Sequence, residues 1–433
     1  MSVTDAPVQA GLEVEDRYTI VSTDSHTGPD LSELRKYCPP QYLDDFDAFA
    51  NDLEIRTAAS AEIQIPADQE EIWRHRNSHA GVNDPYERIA GMDADGIAAE
   101  VIFHGTGPEH WGGALIPFVD GHRERHGLET GKSDYRAIGR HIFNEWLADF
   151  CSVAPGRLLG VAEIPFWDMD AAVKEIKWAA ERGFKAVNFA APRPGLPTYD
   201  DPVWEPFWSA AEQADVALNC HSGARLHSFP GAGKAYGALF WSETHFLGHS
   251  PFPMMFFGGV FQRHPGLKVI FNEQRGYWVR QQLRDLDSIH LTPWNDLLRA
   301  EIEMTPSAAW RKHCFVGGSY LAHFELEHRG EIGVETITWG RDYPHPEGTF
   351  PHTIEALRST FHDLTVEENR KILGENAARC YGLDLAFLDD IGHRIGPRPR
   401  DVAQPLAATP PDFTSLAFRD RADIPGGPRY GSY

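Results

Sequence analysis

Cysteine is scarce in this chain, and what there is stands apart. The five cysteines, Cys38, Cys151, Cys220, Cys314 and Cys380, form neither a CxxC pair nor the even, closely spaced set of a disulfide framework. That spacing argues against a disulfide-stapled fold, and a reducing, cytoplasmic setting is expected. Long apolar runs are missing too. No stretch approaches the roughly 20 residues that a membrane-spanning helix requires. The opening MSVTDAPVQAGLEVEDRY is acidic and has no apolar core, so it does not read as a secretory signal. Positive charge is short: 40 Lys and Arg stand against 63 Asp and Glu, a formal net charge of −23. That leaves no broad basic footprint to neutralise phosphates, which argues against a nucleic-acid partner. A small anionic substrate stays open, since a pocket can carry its own arginines. Finally, no GxGxxG follows any apolar run, which counts against a dinucleotide-binding fold.

What is present is a series of short apolar runs without the strict alternation of a half-exposed sheet, the pattern of buried parallel strands. They are YTIVST (18–23), AEVIFH (99–104), RLLGVAEI (157–164), FKAVNFA (184–190), VALNCH (216–221), LKVIFNE (267–273), HCFVGG (313–318) and TITWGRD (336–342). Helix-like segments separate most of them. DMDAAVKEIKWAAERG (168–183) opens on an acidic cap, keeps a 3.6-residue apolar period and stops at glycine, while DPYERIAGMDADG (84–96) and DPVWEPFWSAAEQA (201–214) place Pro just inside the start. Eight strands alternating with helices predict the α/β class and a (β/α)8 TIM barrel within this 433-residue chain. Residues 1–17 read as an N-terminal extension, 18–383 as the barrel and 384–433 as an irregular Pro/Arg-rich tail. Insertions are expected at about 29–83, 105–133, 222–250 and 288–311, where connections exceed ordinary loop lengths. The tail, with no core of its own expected, is a candidate to wrap a neighbouring subunit, and a homo-oligomer, simplest as a dimer, is expected.

The loops that follow barrel strands gather on one face, where barrel active sites lie. The strand ends converging there are Asp24 and His26, His104, Glu163, His221, Glu273 and Asp342. Asp24 and His26, two residues apart, share a strand face. Imidazoles with carboxylates suit one divalent ion, Zn²⁺ first, with Mn²⁺ or Fe²⁺ as substitutes. His221 and Asp342 read as ligands rather than as a core histidine and a turn cap. His104 is open between substrate binding, support of a ligand and plain structure. Glu163 reads as structural, and Glu273 as a ligand, a water-orienting group or a supporting carboxylate. His245 and His249 in HFLGH have helical i, i+4 spacing but lack the glutamate of HExxH. His75, His79, His122 and His126 fall in charged insertions and read as solvated. Cys220 should face away from His221, and Lys185, near the beginning of its strand, is rejected as a metal-bridging group.

VSTDSH, DPYERIAGMDADGIAAEVIF, NEWLADFCSVAPGRLLGVAEIP, CHSGA, HPGLKVIFNEQRGYWVRQQLRDLD and WGRDYPHPEGTFP, taken in order, make the chain resemble the amidohydrolase-related proteins of the metal-dependent hydrolase superfamily. The resemblance is to the branch with aminocarboxymuconate semialdehyde decarboxylase, and it runs from Ile20 to Leu383, the large insertions excepted. It implies one metal ion at the barrel mouth, held by Asp24, His26, His221 and Asp342, with Asp342 doubling as a proton shuttle. Two positions depart from the pattern. The first strand carries Asp-x-His where many members have His-x-His or Glu-x-His, and the sixth ends in Asn272, Glu273 and Gln274 where the decarboxylases place a histidine.

The reading that follows is a mononuclear metal-dependent hydrolase of a small or medium organic molecule. A metal-activated water attacks an electrophilic carbon, and Asp342, with Glu273, manages its protons. His104, Arg225 and Arg275 are candidates for gripping a substrate anion, arginine supplying a planar fork for carboxylates. The alternative is a non-oxidative metal-dependent decarboxylase of an aromatic or unsaturated acid. A non-catalytic scaffold with a structural metal ranks last, because structural zinc sites are usually closed and cysteine-rich.

Overall fold

In the computed structural model the described residues are 16–59, 79–105, 116–118, 133–189, 196–221, 249–413, 415–421 and 423. Arg225, His75, His122, His126 and His245 lie outside them, as do large parts of the expected insertions.

Each of the eight apolar runs contains a strand. The first is broken into β1 (Val21–Ser22) and β2 (His26–Thr27); β3 (Ala99–His104), β4 (Leu158–Glu163), β5 (Ala186–Asn188) and β6 (Ala217–His221) follow. β7 (Val269–Asn272), β8 (Cys314–Ser319) and β9 (Ile337–Gly340) complete the set. All pair in parallel in the order β1-β3-β4-β5-β6-β7-β8-β9, with β2 continuing along β3. The first and last strands then meet: Thr23 N donates to Trp339 O at 2.9 Å, Asp342 N to Asp24 O at 2.9 Å and His26 N to Tyr343 O at 2.6 Å. The sheet is thus a (β/α)8 barrel, and the break in the first strand falls at Asp24.

Period two decides which side chains reach the barrel mouth. In β6, Leu218 and Cys220 join the large apolar cluster that includes Trp208, Phe252 and Phe261, while the alternate residues end at His221. Cys220 therefore does face away from His221, and burial pushes its thiol up to about 12. Lys185 is exposed at the start of its strand. The helices form for the expected reasons. Asp84 accepts from Tyr86 N and Glu87 N at the head of Pro85–Asp95, and Gly96 ends that helix at φ 77°. Asp168 accepts from Ala171 N at the head of Met169–Glu181. Residues 288–311 are largely helical, within Tyr277–His290, Asp296–Glu301 and Pro306–His313. No described helix is long and apolar enough to cross a membrane.

Beneath the mouth lies a buried ionic lattice. Glu100 accepts from Arg88 Nε at 2.6 Å and also pairs with Arg341, whose Nη1 reaches Asp95 Oδ2 at 2.8 Å. Arg88 Nη1 donates to the His26 carbonyl at 2.9 Å, so the lattice grips the backbone of a site residue.

The described part of the tail contains regular structure. Leu385–Ile395 is a helix capped by Asp384, and Tyr18 N donates to Pro397 O at 2.9 Å. Farther on, Ala417 and Phe418 are buried against Tyr320 and Ala356. These residues share a small core with their own barrel.

Candidate metal centre

The C-terminal ends of β6 and β9 and the break in the first strand deliver four side chains to one point. Asp24 Oδ1 lies 3.1 Å from His221 Nε2 and 3.4 Å from His26 Nε2. His26 Nε2 lies 3.2 Å from Asp342 Oδ1. Asp24 and Asp342 are fully buried and His26 nearly so. Close approach has a local cause: a Cβ at Gly340, the last residue of β9, would stand 2.7 Å from the Asp24 Cβ. Only glycine there lets the first strand's carboxylate come in.

The surroundings set each donor. His26 Nδ1 is 2.9 Å from the His104 carbonyl, which can only accept, so Nδ1 carries the proton and Nε2 faces the carboxylates. Ser319, at the end of β8, donates to Asp24 Oδ2. Both features are the usual outer support of metal ligands.

The cluster is short of positive charge. Burial alone would lower the His26 pKa, but the Asp24 and Asp342 carboxylates override it and hold it well above the ordinary histidine value. His221 is lifted to about 9 against burial, first by Asp24 and then by Glu273. Burial disfavours ionisation of Asp24, yet His221 and His26 keep its pKa lowered. Two buried carboxylates thus face two imidazoles, a donor set whose negative charge a divalent cation would offset. Asp342 Oδ2 is buried without a hydrogen-bond partner, and His26 Nε2 faces only the Asp24 and Asp342 carboxylates. Two donor groups, one of Asp24, His26 and His221 and one of His26, Asp342 and His345, each lie within 4.8 Å and share His26, a set of oxygen and imidazole donors that could hold a divalent ion.

Glu273 reaches the same place from β7: its Oε2 is 3.6 Å from His221 Nδ1, and its Oε1 accepts from Tyr320 OH at 2.8 Å. Arg275 follows on that loop, half-buried. His104 stands one step back, its Nδ1 2.8 Å from Glu163 Oε1. Asn188 Nδ2 donates to the same Glu163 oxygen at 2.8 Å, and Glu163 is held down to about 2 against burial, first by His104. Arg225 lies outside the described residues.

Four further residues belong to the site and were not singled out from sequence. His345 Nδ1 is 3.0 Å from Asp342 Oδ1, and its ring stacks on His26 with centroids 4.2 Å apart. Glu347 is buried and forms a three-carboxylate group with Glu273 and Asp342. Burial first, then the Asp342 and Glu273 charges, raises its pKa well above the ordinary carboxylate value. Ser319 and Tyr320 complete the set. The only sequence signal was HPE directly after RDYP, within a stretch already marked by Asp342.

Glu273 and Arg275 (φ 56°), Tyr320 (φ 41°) and Asp342 (φ 53°) all adopt the left-handed region although none is glycine. Each lies just beyond the end of β7, β8 or β9. Such residues cost about 1–3 kcal/mol each and persist where surrounding structure over-determines them, commonly at active sites.

Comparison with known proteins places the molecule. Residues 115–383 match the sequence pattern of the amidohydrolase family. Gamma-resorcylate decarboxylase of Rhodococcus jostii is 25% identical over 256 residues, 56% of this chain and 75% of that protein. The 2-amino-3-carboxymuconate-6-semialdehyde decarboxylase of Dictyostelium discoideum is 26% identical over 320 residues, 70% of this chain and 77% of that protein. Among solved structures, 5-carboxyvanillate decarboxylase of Novosphingobium aromaticivorans, complexed with manganese and 4-hydroxy-3-methoxy-5-nitrobenzoic acid, has a TM-score of 0.57 at 18% identity, covering 86% of this chain and 99% of that one. This last likeness is one of fold.

Proposed function

Since the chain belongs to the amidohydrolase family, we propose that it is a metal-dependent, non-oxidative decarboxylase of a small aromatic or unsaturated carboxylic acid. The order of the two sequence-based readings is thereby reversed, because the relatives with names are carboxy-lyases. The observation that carries the proposal is the buried Asp342 Oδ2, without a hydrogen-bond partner, in a cluster of candidate metal ligands.

Asp24, His26, His221 and Asp342 would hold the ion. Bound there, it would supply Lewis-acid charge to anchor the substrate's carboxylate and an adjacent oxygen. The set is rich in carboxylate, which suits Mn²⁺ as well as the Zn²⁺ first expected, and the Novosphingobium enzyme was solved with manganese.

The chain's own residues manage the proton. Asp342 delivers it to the carbon that bears the carboxylate, the bond to that carboxylate breaks, and CO2 leaves. The bonding pair stays on carbon with the new hydrogen, and solvent reprotonates Asp342. No electron is gained or lost, so no redox cofactor is called for. His345, 3.0 Å from Asp342, is placed to pass that proton. His104 and Arg275 remain candidates for binding the rest of the substrate, with Arg225.

Hydrolysis is the second reading. It is favoured by Glu273, a carboxylate 3.6 Å from His221 Nδ1, where the resembling decarboxylases carry a histidine. The test is to load the protein with Mn²⁺ or Zn²⁺ and offer it dihydroxybenzoates, 5-carboxyvanillate and a panel of esters and lactones. Metal-dependent CO2 release supports the proposal. Turnover of esters or lactones alone would move the assignment to hydrolysis.

A further inference from the structure

We propose that the C-terminal segment 415–421 is a working part of this site, with Arg419 as a positioning residue that sets Tyr320 and, through it, Glu273. The inference rests on the proposed function for what those loops do, and on geometry alone for how they are held.

The segment bridges the loops that build the mouth. Leu416 N donates to Glu347 O at 3.0 Å, on the loop that carries Asp342 and His345. Ala417 and Phe418 are buried beside Tyr320. Arg419 Nη1 donates to Leu416 O at 2.7 Å and to Tyr320 O at 3.0 Å, and its Nη2 pairs with Glu325. Glu325, only 2% exposed, is itself a junction. Its Oε2 accepts from Ala322 N at 3.0 Å and its Oε1 from Gly276 N at 3.4 Å. One carboxylate thus ties the loop after β7 to the loop after β8, and Arg419 supplies its counter-charge.

Those two loops hold three of the left-handed residues, Glu273, Arg275 and Tyr320. A left-handed non-glycine conformation does not sustain itself locally; neighbours must impose it. Arg419 imposes it on Tyr320 through the carbonyl, and Tyr320 OH passes the constraint to Glu273 Oε1 at 2.8 Å. Removing Arg419 leaves the buried Glu325 charge uncompensated as well. The match to the amidohydrolase family ends at residue 383, so Glu273, Tyr320 and Glu325 lie within the family pattern while Arg419 and its segment lie beyond it.

The test compares full-length wild type, Arg419→Ala, Arg419→Lys and Arg421→Ala, each loaded with Mn²⁺. Arg421 lies in the same segment but bonds Leu406, Thr409 and Asp423, and so controls for general tail packing. Amide hydrogen exchange should rise about tenfold or more at 273–277 and 320–325 in Arg419→Ala, with the strands and the metal content unchanged. On an accepted aromatic acid, kcat should fall about a hundredfold with KM little moved, as displaced catalytic groups predict. Arg419→Lys should recover part of both, and Arg421→Ala should resemble wild type. Unchanged loop exchange in Arg419→Ala overturns the proposal, and so does a loosening shared equally by the barrel strands, which would make the segment a general stabiliser. Should Arg419→Ala not fold, Arg419→Lys decides by the same criteria. If wild type decarboxylates nothing, the functional proposal fails while the exchange comparison still decides this one.

Discussion

His26 Nε2 stands 3.2 Å from Asp342 Oδ1, so the strand that opens the barrel and the strand that closes it meet in one pair of side chains. The backbone enforces the meeting, since Asp342 N donates to Asp24 O at 2.9 Å and His26 N to Tyr343 O at 2.6 Å. Closure of the sheet therefore also brings the candidate ligands together.

Metal content is the first consequence. Purified wild type should hold about one equivalent of divalent ion, and His221→Ala and Asp342→Ala should lose it while keeping their far-ultraviolet circular dichroism. Plasma mass spectrometry reads this directly. Retention of the ion in both variants would place it elsewhere.

Ser319 tests the outer support. Its hydroxyl donates to Asp24 Oδ2, and Ser319→Ala should weaken metal binding about 10–100-fold. The fold should lose only about 1 kcal/mol. A chelator competition titration beside a denaturant curve separates the two effects; unaltered affinity would remove Ser319 from the site.

Asp342→Asn keeps the shape of the side chain and removes its proton chemistry. In the decarboxylase reading kcat should fall about 10²–10⁴-fold, measured as CO2 release from the metal-loaded variant. Near-normal turnover would assign the proton to another group, with His345 the next to test.

Glu100 links the site to stability. Burial opposes its charge, but Arg341 and then Arg88 lower its pKa below the ordinary 4.5. The unfolded chain therefore binds the proton more readily, and the stabilisation is full above pH 4.5 and is lost as pH falls through the lowered folded value. Glu100→Gln should cost about 3–5 kcal/mol at neutral pH by leaving two buried arginines short of a partner. The gap from wild type, followed by urea unfolding, should shrink only below that pH. A gap independent of pH down to strongly acid conditions would contradict the assignment.

Much of this was legible in the residues. A buried parallel strand needs apolar side chains on both faces, so all eight runs announced themselves, and AEVIFH coincides with β3. Asp24, His26, His221 and Asp342 were visible because each interrupts an apolar run at its end. Helix starts were equally plain at Asp84 and Asp168, whose carboxylates cap backbone amides within three residues. His345 and Glu347 lie beyond a strand, in a loop with no periodicity to mark them. The tail, rich in Pro and Arg and expected to have no core of its own, instead packs Leu416, Ala417 and Phe418 beside Tyr320, a contact that no local pattern marks.

By itself, then, the sequence determined what is set over short range: the strands, the helix caps, the inward parity of His221 and the chemical character of the ligand set. Tertiary structure alone decided which side chains gather at the candidate metal centre, that Tyr320 bonds Glu273, that Arg419 bonds Tyr320, and that four non-glycine residues of this site sit in the left-handed region. The physical reason is range. Periodicity and capping act within a turn or a strand, where neighbours in sequence are neighbours in space. The site and its supports join groups brought together only when the barrel closes and the tail folds back over it.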